Sequence, residues 1–207
     1  MKCIIARILL ISLLLTSVFL FCGCKNDVEE EKYSSDKPDI FALPLGIEEY
    51  ITLSAYKDLT ISVSEGESKG DAVWNIIVEG SEIKSYPQEL LDYYCEQISA
   101  QYRYYAERSG KTLDEVLADH GKTKASIEED AKEFVKEDLV YVAIVKAEGI
   151  TLTDEDIDAH FDKFVSQYVS IYGYTEKYVK ENLSDIVLDT MLHDKTIEFL
   201  IINNKFE

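Results

Sequence analysis

From residue 87 onward, apolar residues recur at steps of three and four, which is the period of an amphipathic α-helix. The stretch 87–110 begins with proline, which suits a first helical turn, and ends with glycine, which suits a helix terminus. Capping-box patterns at residues 112–115 and 126–129 predict the starts of a short helix ending at Gly121 and of a long one ending at Gly149. Residues 139–145 of the long helix are apolar on every side, so we expect that part to be buried all round.

The same signals predict three more helices. A capping-box pattern at residues 153–156 begins the first, which ends at Gly173; Thr175 caps a short one through Asn182; the last covers about 183–203. The predicted inward positions are Ile157, Phe161, Phe164, Val165, Tyr168 and Ile171 on the first of these helices, and Ile186, Val187, Met191, Ile197 and Ile201 on the last.

The segment before the helices has a different pattern. Residues 50–63 alternate between apolar and polar side chains, which predicts one or two short β segments. Residues 72–78 are apolar and predict a short helix capped by Asp71 and ending near Gly80, with a buried strand as the competing interpretation. The expected fold class is therefore mainly α, with one or two short β segments near residues 50–63.

The N-terminus has the order of a secretory signal. Lys2 and Arg7 form a short positive region, and residues 8–22 form an apolar stretch that is short for a membrane-spanning helix. The stretch is followed by Gly23 and Cys24, a small residue and then cysteine, which resembles the lipobox of bacterial lipoproteins. This resemblance implies lipid attachment at Cys24 and a bacterial cell-membrane protein on the extracytoplasmic face. An uncleaved anchor is the alternative.

Three segments are predicted along the chain. Residues 1–23 are the lipoprotein signal peptide. Residues 24–44 are a flexible tether, because they are rich in charge, lack an apolar period and contain Pro38. Residues 45–207 form the helical domain.

Charge and cysteine content exclude several kinds of function. The formal net charge of −19 repels nucleic acid and anionic lipid headgroups, so no nucleic-acid partner is expected. Once the signal is removed and Cys24 is lipidated, Cys95 is the one remaining cysteine, so apolar burial must hold the fold without an intramolecular disulfide. The three histidines, at 120, 160 and 193, do not have ligand spacing, and neither a metal nor another cofactor is expected.

The helix-boundary motifs, taken in order, resemble the C-terminal domain of the trigger factor family. The run YPQELL at residues 86–91 is similar to the family's P-E-E-L entry, and GKTLDEVL at 110–117 and GKT at 121–123 follow it. The run EGITLTDEDI at residues 148–157 is similar to the family's E-G-I-x-V-T-D-E-E-V. The similarity covers about residues 45–204, and residues 50–63 resemble the family's lead-in to its prolyl-isomerase domain.

Two parts of the family pattern are missing. In trigger factor an FKBP-like isomerase domain follows the lead-in, whereas here residues 64–70 are too few for such a barrel. The ribosome-docking module with its G-F-R-x-G-x-x-P loop is also missing, so no ribosome binding is expected. The resemblance therefore implies an extended multi-helix chaperone body with arms, outside the membrane and without the isomerase. Chaperones of the SurA and PrsA type have a similar helical body.

The function that this resemblance implies is a membrane-tethered holdase for unfolded or newly secreted polypeptides, with no catalytic residues. Such a protein needs apolar surface that stays exposed, and tyrosine supplies apolar area and a hydroxyl at little cost in rotamer entropy. The tyrosines of the helix predicted over 87–110 cover more than one face, so some of them are expected to be exposed. The candidate client-binding residues are Tyr93, Tyr102, Tyr104, Tyr105, Tyr168 and Met191.

Other interpretations remain open at this point. Each of the candidate tyrosines, including Tyr168, could belong to the core, and so could Met191. Family membership alone would suggest a prolyl isomerase. A non-chaperone lipoprotein that uses its helices to hold one specific partner is the third interpretation.

Overall fold

Helices dominate the structure, a computed structural model that describes residues 37–207 and is 67% helical, which confirms the mainly α class. The predicted signal peptide, Cys24 and the first part of the tether lie outside the described residues. The helices are α1 (Lys69–Gly80), α2 (Gln88–Ser109), α3 (Leu113–Asp119), α4 (Lys124–Glu148), α5 (Asp154–Tyr172), α6 (Glu176–Asn182) and α7 (Ser184–Ile202). A 3-10 turn covers Ile47–Glu49, and the strands are β1 (Ile51–Thr52), β2 (Thr60–Ile61), β3 (Glu82–Ile83) and β4 (Lys205–Phe206). The strands pair as β1–β3 and β2–β4.

The chain forms two compact units, each made of segments that are distant in sequence. Unit 1 comprises Leu53–Glu82 and Val140–Glu207. It therefore contains α1, α5, α6, α7, the strands β2 and β4, and the second part of α4. Among the described residues, unit 2 comprises 37–52 and Ile83–Leu139, with α2, α3 and the first part of α4.

Local capping chemistry sets most of the helix boundaries as predicted. Thr112 and Thr153 each begin a helix with a complete capping box, in which the hydroxyl accepts from the backbone N–H three residues on and the carboxylate there accepts in return. Gly110 and Gly173 end α2 and α5 in the left-handed backbone conformation, with φ of 67° and 71°, which glycine adopts without a steric penalty. The capping-box and C-cap patterns were therefore reliable guides at these four positions.

Two predicted helix starts are wrong by about one turn. Helix α1 is capped by Ser68 and not by Asp71, whose backbone N–H donates to the Ser68 hydroxyl at 3.0 Å. Helix α4 begins at Lys124, because Thr123 and Ser126 exchange backbone-to-hydroxyl hydrogen bonds of 2.8 and 3.1 Å. The predicted box at residues 126–129 therefore lies inside the helix. Helix α3 likewise ends at Asp119, slightly before the predicted Gly121.

The apolar stripes are largely as predicted, but their edges differ. Ile171 is 51% exposed, and Tyr172, four residues after Tyr168, is buried in its place. Ile186 is 39% exposed, so the prediction that it faces inward is also wrong. The predicted positions that are buried are Phe164, Val165, Tyr168, Val187 and Met191, and those that are half-buried are Ile157, Phe161, Ile197 and Ile201.

Unit 1 is built around the packing of α1 against α7. Gly70 lets the two helices approach closely, because a Cβ atom at that position would lie 2.8 Å from the Cγ2 atom of Ile197. The Trp74 and His193 rings meet edge to face, with centroids 5.3 Å apart. Strand β4 pairs in parallel with β2, so Phe206 lies opposite Ile61.

Unit 2 has its own core around α2 and the first part of α4. Tyr94 is 1% exposed, stacks on Phe134 and donates a 2.6 Å hydrogen bond to the Asp138 carboxylate. Asp138 also forms an ion pair with Lys37 at 3.0 Å, and Ile40 is buried. Residues 37–44, the last part of the predicted tether, thus include side chains that pack in this unit.

The core of unit 1 predicts that substitutions at two nearby positions of α7 lower the free energy of unfolding by different amounts. Leu200 is fully buried, whereas Ile202 is 80% exposed. Leu200→Ala should lower the free energy of unfolding by about 2–5 kcal/mol through lost burial and cavity formation, and Ile202→Ala by about 0.5 kcal/mol or less. Urea denaturation followed by the fluorescence of Trp74, the chain's single tryptophan and a residue of unit 1, measures both. Equal losses in the two variants would contradict this packing.

The start of α5 predicts a pH dependence of stability. The Lys195 ammonium at 2.7 Å, together with the Thr153 capping bonds, holds the pKa of Asp156 well below its usual range. A depressed carboxyl pKa stabilises the fold above the unfolded pKa of about 3.9, and this contribution disappears as pH falls below that value. Asp156→Asn should therefore destabilise unit 1 at pH 7, and the difference from the native chain should narrow below about pH 4.

The matched control for this prediction is Asp158→Asn, on the exposed face of the same helix. Asp158→Asn should change the free energy of unfolding little at pH 7 or below pH 4. Urea denaturation under both conditions measures the native chain, Asp156→Asn and Asp158→Asn. A deficit of Asp156→Asn that stays constant down to pH 2 would contradict the prediction.

Candidate functional site

An open groove lies between α2 and α3 of unit 2, with a volume of about 720 Å³. Its lining includes three of the predicted client-binding tyrosines together with residues that the sequence did not single out. The lining residues that matter below are Tyr102, Tyr104, Tyr105, Arg108, Asp119 and His120.

The groove forms because α2 turns sharply into α3. Residues at spacings of three and four on α2 share one face, which places Tyr105 and Arg108 side by side. The left-handed Gly110 ends that helix, and the Thr112 capping box starts α3 two residues later. As a result, His120 at the end of α3 lies opposite the last turns of α2.

Aromatic rings form one wall of the groove. The Tyr105 and His120 rings are nearly parallel, with centroids 6.2 Å apart, and Tyr102 meets His120 edge to face at 5.6 Å. The Nδ1 atom of His120 lies 2.8 Å from the Val116 carbonyl, a contact that requires the proton on Nδ1 when the ring is neutral. The Nε2 atom is then the hydrogen-bond acceptor of this ring.

The structure separates the six predicted client-binding residues by accessibility. Tyr105 is 42% exposed, and Tyr102 and Tyr104 are half-buried, all three at the groove. The other three, Tyr93, Tyr168 and Met191, are each buried to 95% or more. Burial in unit 1 raises the pKa of the Tyr168 phenol to about 12, although its hydroxyl bonds to Thr190. A client-binding role stays a prediction for all six, but only the groove tyrosines present surface in this conformation.

The charged groups of the groove are arranged unevenly. Lys111 and Asp119 pair at 2.5 Å, which raises the pKa of the lysine and lowers that of the aspartate. Arg108 lies over the Tyr104 ring at 5.5 Å and donates a 2.8 Å hydrogen bond to the hydroxyl of the same tyrosine. Within residues 37–207, no carboxylate lies within ion-pairing distance of Arg108. The tyrosine pattern alone did not single out this arginine, although its position three and four residues after Tyr105 and Tyr104 is a readable signal.

Unit 1 carries a second cluster of tyrosine rings, part of it accessible, to which the sequence assigned no client-binding role. The rings of Tyr172, Tyr174 and Tyr178 follow one another at centroid distances of 6.0 and 5.0 Å. Tyr178 is 40% exposed, and Ile171 and Ile186 are also exposed in this part of the chain. Nothing in the sequence signalled the exposure of the two isoleucines, because both fit the predicted inward stripes of α5 and α7.

Neither a metal-ligand cluster nor a membrane-spanning helix is found in the described part of the chain. No three side chains among its histidines, cysteines, aspartates and glutamates converge as metal ligands would. None of its helices has the length and apolar content that a bilayer span requires.

Comparison with protein families identifies the helical region. The family model for the C-terminus of bacterial trigger factor protein matches residues 65–202, which include the groove. The matched region is the chaperone part of trigger factor and not its isomerase domain. Residues 50–63, which resemble the family's lead-in, lie just outside the match.

Individual trigger factors agree with this match. The trigger factor of Carboxydothermus hydrogenoformans is 30% identical over 136 residues, which are 63% of this chain and 30% of that protein. The trigger factor of Clostridioides difficile is 28% identical over 148 residues, which are 67% of this chain and 34% of that protein. This chain thus spans about a third of the length of these curated relatives, and no solved structure matches it. Because the family model covers about two thirds of the chain, including all seven described helices, the protein belongs to the trigger factor C-terminal family.

Proposed function

We propose that this protein is a membrane-tethered, extracytoplasmic chaperone that holds unfolded or newly secreted polypeptides. The observation that carries the proposal is the open aromatic groove between α2 and α3, inside the region that matches the chaperone part of trigger factor. No chemical step is assigned to the groove, because a holdase needs only reversible contact with apolar side chains.

The groove has the properties that weak, broad polypeptide binding requires. Tyrosines offer large contact areas with few rotatable bonds, and their hydroxyls tolerate water when no client is bound. The 42% exposure of Tyr105 leaves apolar area that a client side chain can cover. A net charge of −19 opposes self-association of molecules that carry such surface.

The extracytoplasmic location is supported by the N-terminal sequence. A positive region, a short apolar stretch and Gly23-Cys24 follow in the order of a lipoprotein signal. A cysteine that carries more than one acyl chain would anchor the protein firmly, because each buried methylene contributes about 0.8 kcal/mol. The chaperone body would then stand at the site where secreted chains emerge.

The proposal includes no prolyl-isomerase activity. Strand β2 ends at Ile61 and α1 begins at Lys69, so the position where the resemblance would place the isomerase barrel contains only a short connection. An adaptor would bind one folded partner, whereas a holdase binds unfolded chains. The following experiment distinguishes the two, because its client is an unfolded enzyme.

Tyr105→Ala should weaken the holdase activity. The full chain in nanodiscs of zwitterionic lipid is added to an enzyme diluted from urea, and light scattering follows aggregation against empty nanodiscs. The native chain should suppress aggregation, and Tyr105→Ala should need roughly fivefold more protein, the loss expected when a contact residue of about 1 kcal/mol is truncated.

The matched control is Tyr178→Ala, which removes a similarly exposed tyrosine (40%) from unit 1. It should suppress aggregation as the native chain does. Failure of the native chain to suppress aggregation at stoichiometric excess would refute the holdase proposal. Full activity of Tyr105→Ala would refute the assignment to the groove.

Cys24→Ser should abolish lipid attachment. Cells that express the native chain and are fed labelled palmitate should carry label on the protein in the membrane fraction, whereas Cys24→Ser should carry none and retain residues 1–23. Cys22→Ser is the control, since it keeps the glycine–cysteine pair and should be labelled normally. Label on Cys24→Ser at the native level would contradict this assignment.

A further inference from the structure

The groove differs in charge from the rest of the molecule. Its lining has two cationic side chains, Arg108 and Lys111, against one carboxylate, Asp119, whereas the chain as a whole has 40 acidic residues against 21 basic ones. The Lys111 ammonium already bonds to Asp119 at 2.5 Å. The positive charge left over in the groove is therefore that of Arg108.

Arg108 is oriented but not neutralised by its neighbours. One terminal nitrogen donates to the Tyr104 hydroxyl, and the guanidinium lies over the ring of the same tyrosine. A guanidinium has five N–H donors, so this bond leaves most of them available. Within a polypeptide the side-chain group that matches such a fork is a carboxylate, which accepts two parallel hydrogen bonds.

The cation and the aromatic wall are close enough for one short segment to reach both. Arg108 follows Tyr105 by three residues and Tyr104 by four, a spacing that puts helical side chains about 5–6 Å apart. In an extended peptide the side chains of alternate residues point to the same side, about 7 Å apart, which is close to this distance. A segment with a ring and a carboxylate side by side fits the groove, because the ring can cover Tyr105 while the carboxylate meets Arg108.

We propose that the groove prefers client segments in which an acidic residue stands two positions away from an aromatic one. This inference deepens the proposed function and rests on it. The occupant is a polypeptide segment whose Asp or Glu side chain pairs with Arg108 and whose ring packs on the Tyr105 side of the groove. On net charge alone, this acidic protein would favour basic segments, so the preference comes from the local contact.

Three fluorescent peptides with blocked termini test the preference, each with one tyrosine and, two positions before and two positions after it, glutamate, glutamine or lysine. Binding to the full chain in zwitterionic nanodiscs is followed by fluorescence anisotropy at constant ionic strength. The glutamate peptide should bind about fivefold more tightly than the glutamine peptide, the factor expected for one partly exposed ion pair. Arg108→Gln should remove this difference, so that the glutamate and glutamine peptides bind equally.

Lys177→Gln is the matched control, because it removes the same charge from an exposed position on α6, outside the groove. It should retain the preference for the glutamate peptide. Equal or tighter binding of the glutamine or lysine peptide to the native chain would overturn the inference, as would a preference that survives Arg108→Gln or no binding of any peptide. In each of these cases the aggregation assay still decides the holdase proposal independently.

Discussion

Burial on every side of the second half of α4 is the constraint on which the structure depends. Val140, Val142 and Ile144 are fully buried. A helix that is apolar all round has no face for water, so it must be covered by several other elements. Cys95 is the only cysteine between residues 37 and 207, so no disulfide within this part can replace that burial. Because apolar burial in the core stabilises the fold, the surface residues can be acidic and aromatic.

The sequence predicted the helices well where a local motif decides the outcome. The capping boxes at Thr112 and Thr153 and the terminal glycines involve neighbouring residues, so spacing alone reveals them. The start of a helix was harder to predict where two capping motifs overlap. Residues 126–129 have the capping pattern, but Thr123 offers Ser126 a reciprocal pair of bonds one turn earlier. At the edges of stripes, packing of neighbouring helices decides, as it does for Ile171 and Tyr172.

The sequence predicted that tyrosines form the candidate site, but it did not predict how they and their neighbours are arranged. Tyrosine spacing on α2 showed that some rings must be exposed, but it could not select Tyr105 over Tyr93, because that choice depends on what packs against each face. His120 and Arg108 join the site only because the turn at Gly110 places α3 beside the end of α2. Such juxtapositions depend on tertiary structure, which a helical period does not encode.

The pairing of β2 with β4 has a consequence for the order in which the protein can fold. Backbone hydrogen bonds join Asp58 to Asn203 and Ile61 to Glu207, so residues about 145 positions apart must meet before unit 1 is complete. Contacts of such long sequence separation form late, since loop-closure entropy opposes them. A chain that emerges N-terminus first therefore keeps this unit unfinished until its last strand is released. A protein proposed to shelter incomplete chains would itself pass through a prolonged incomplete state.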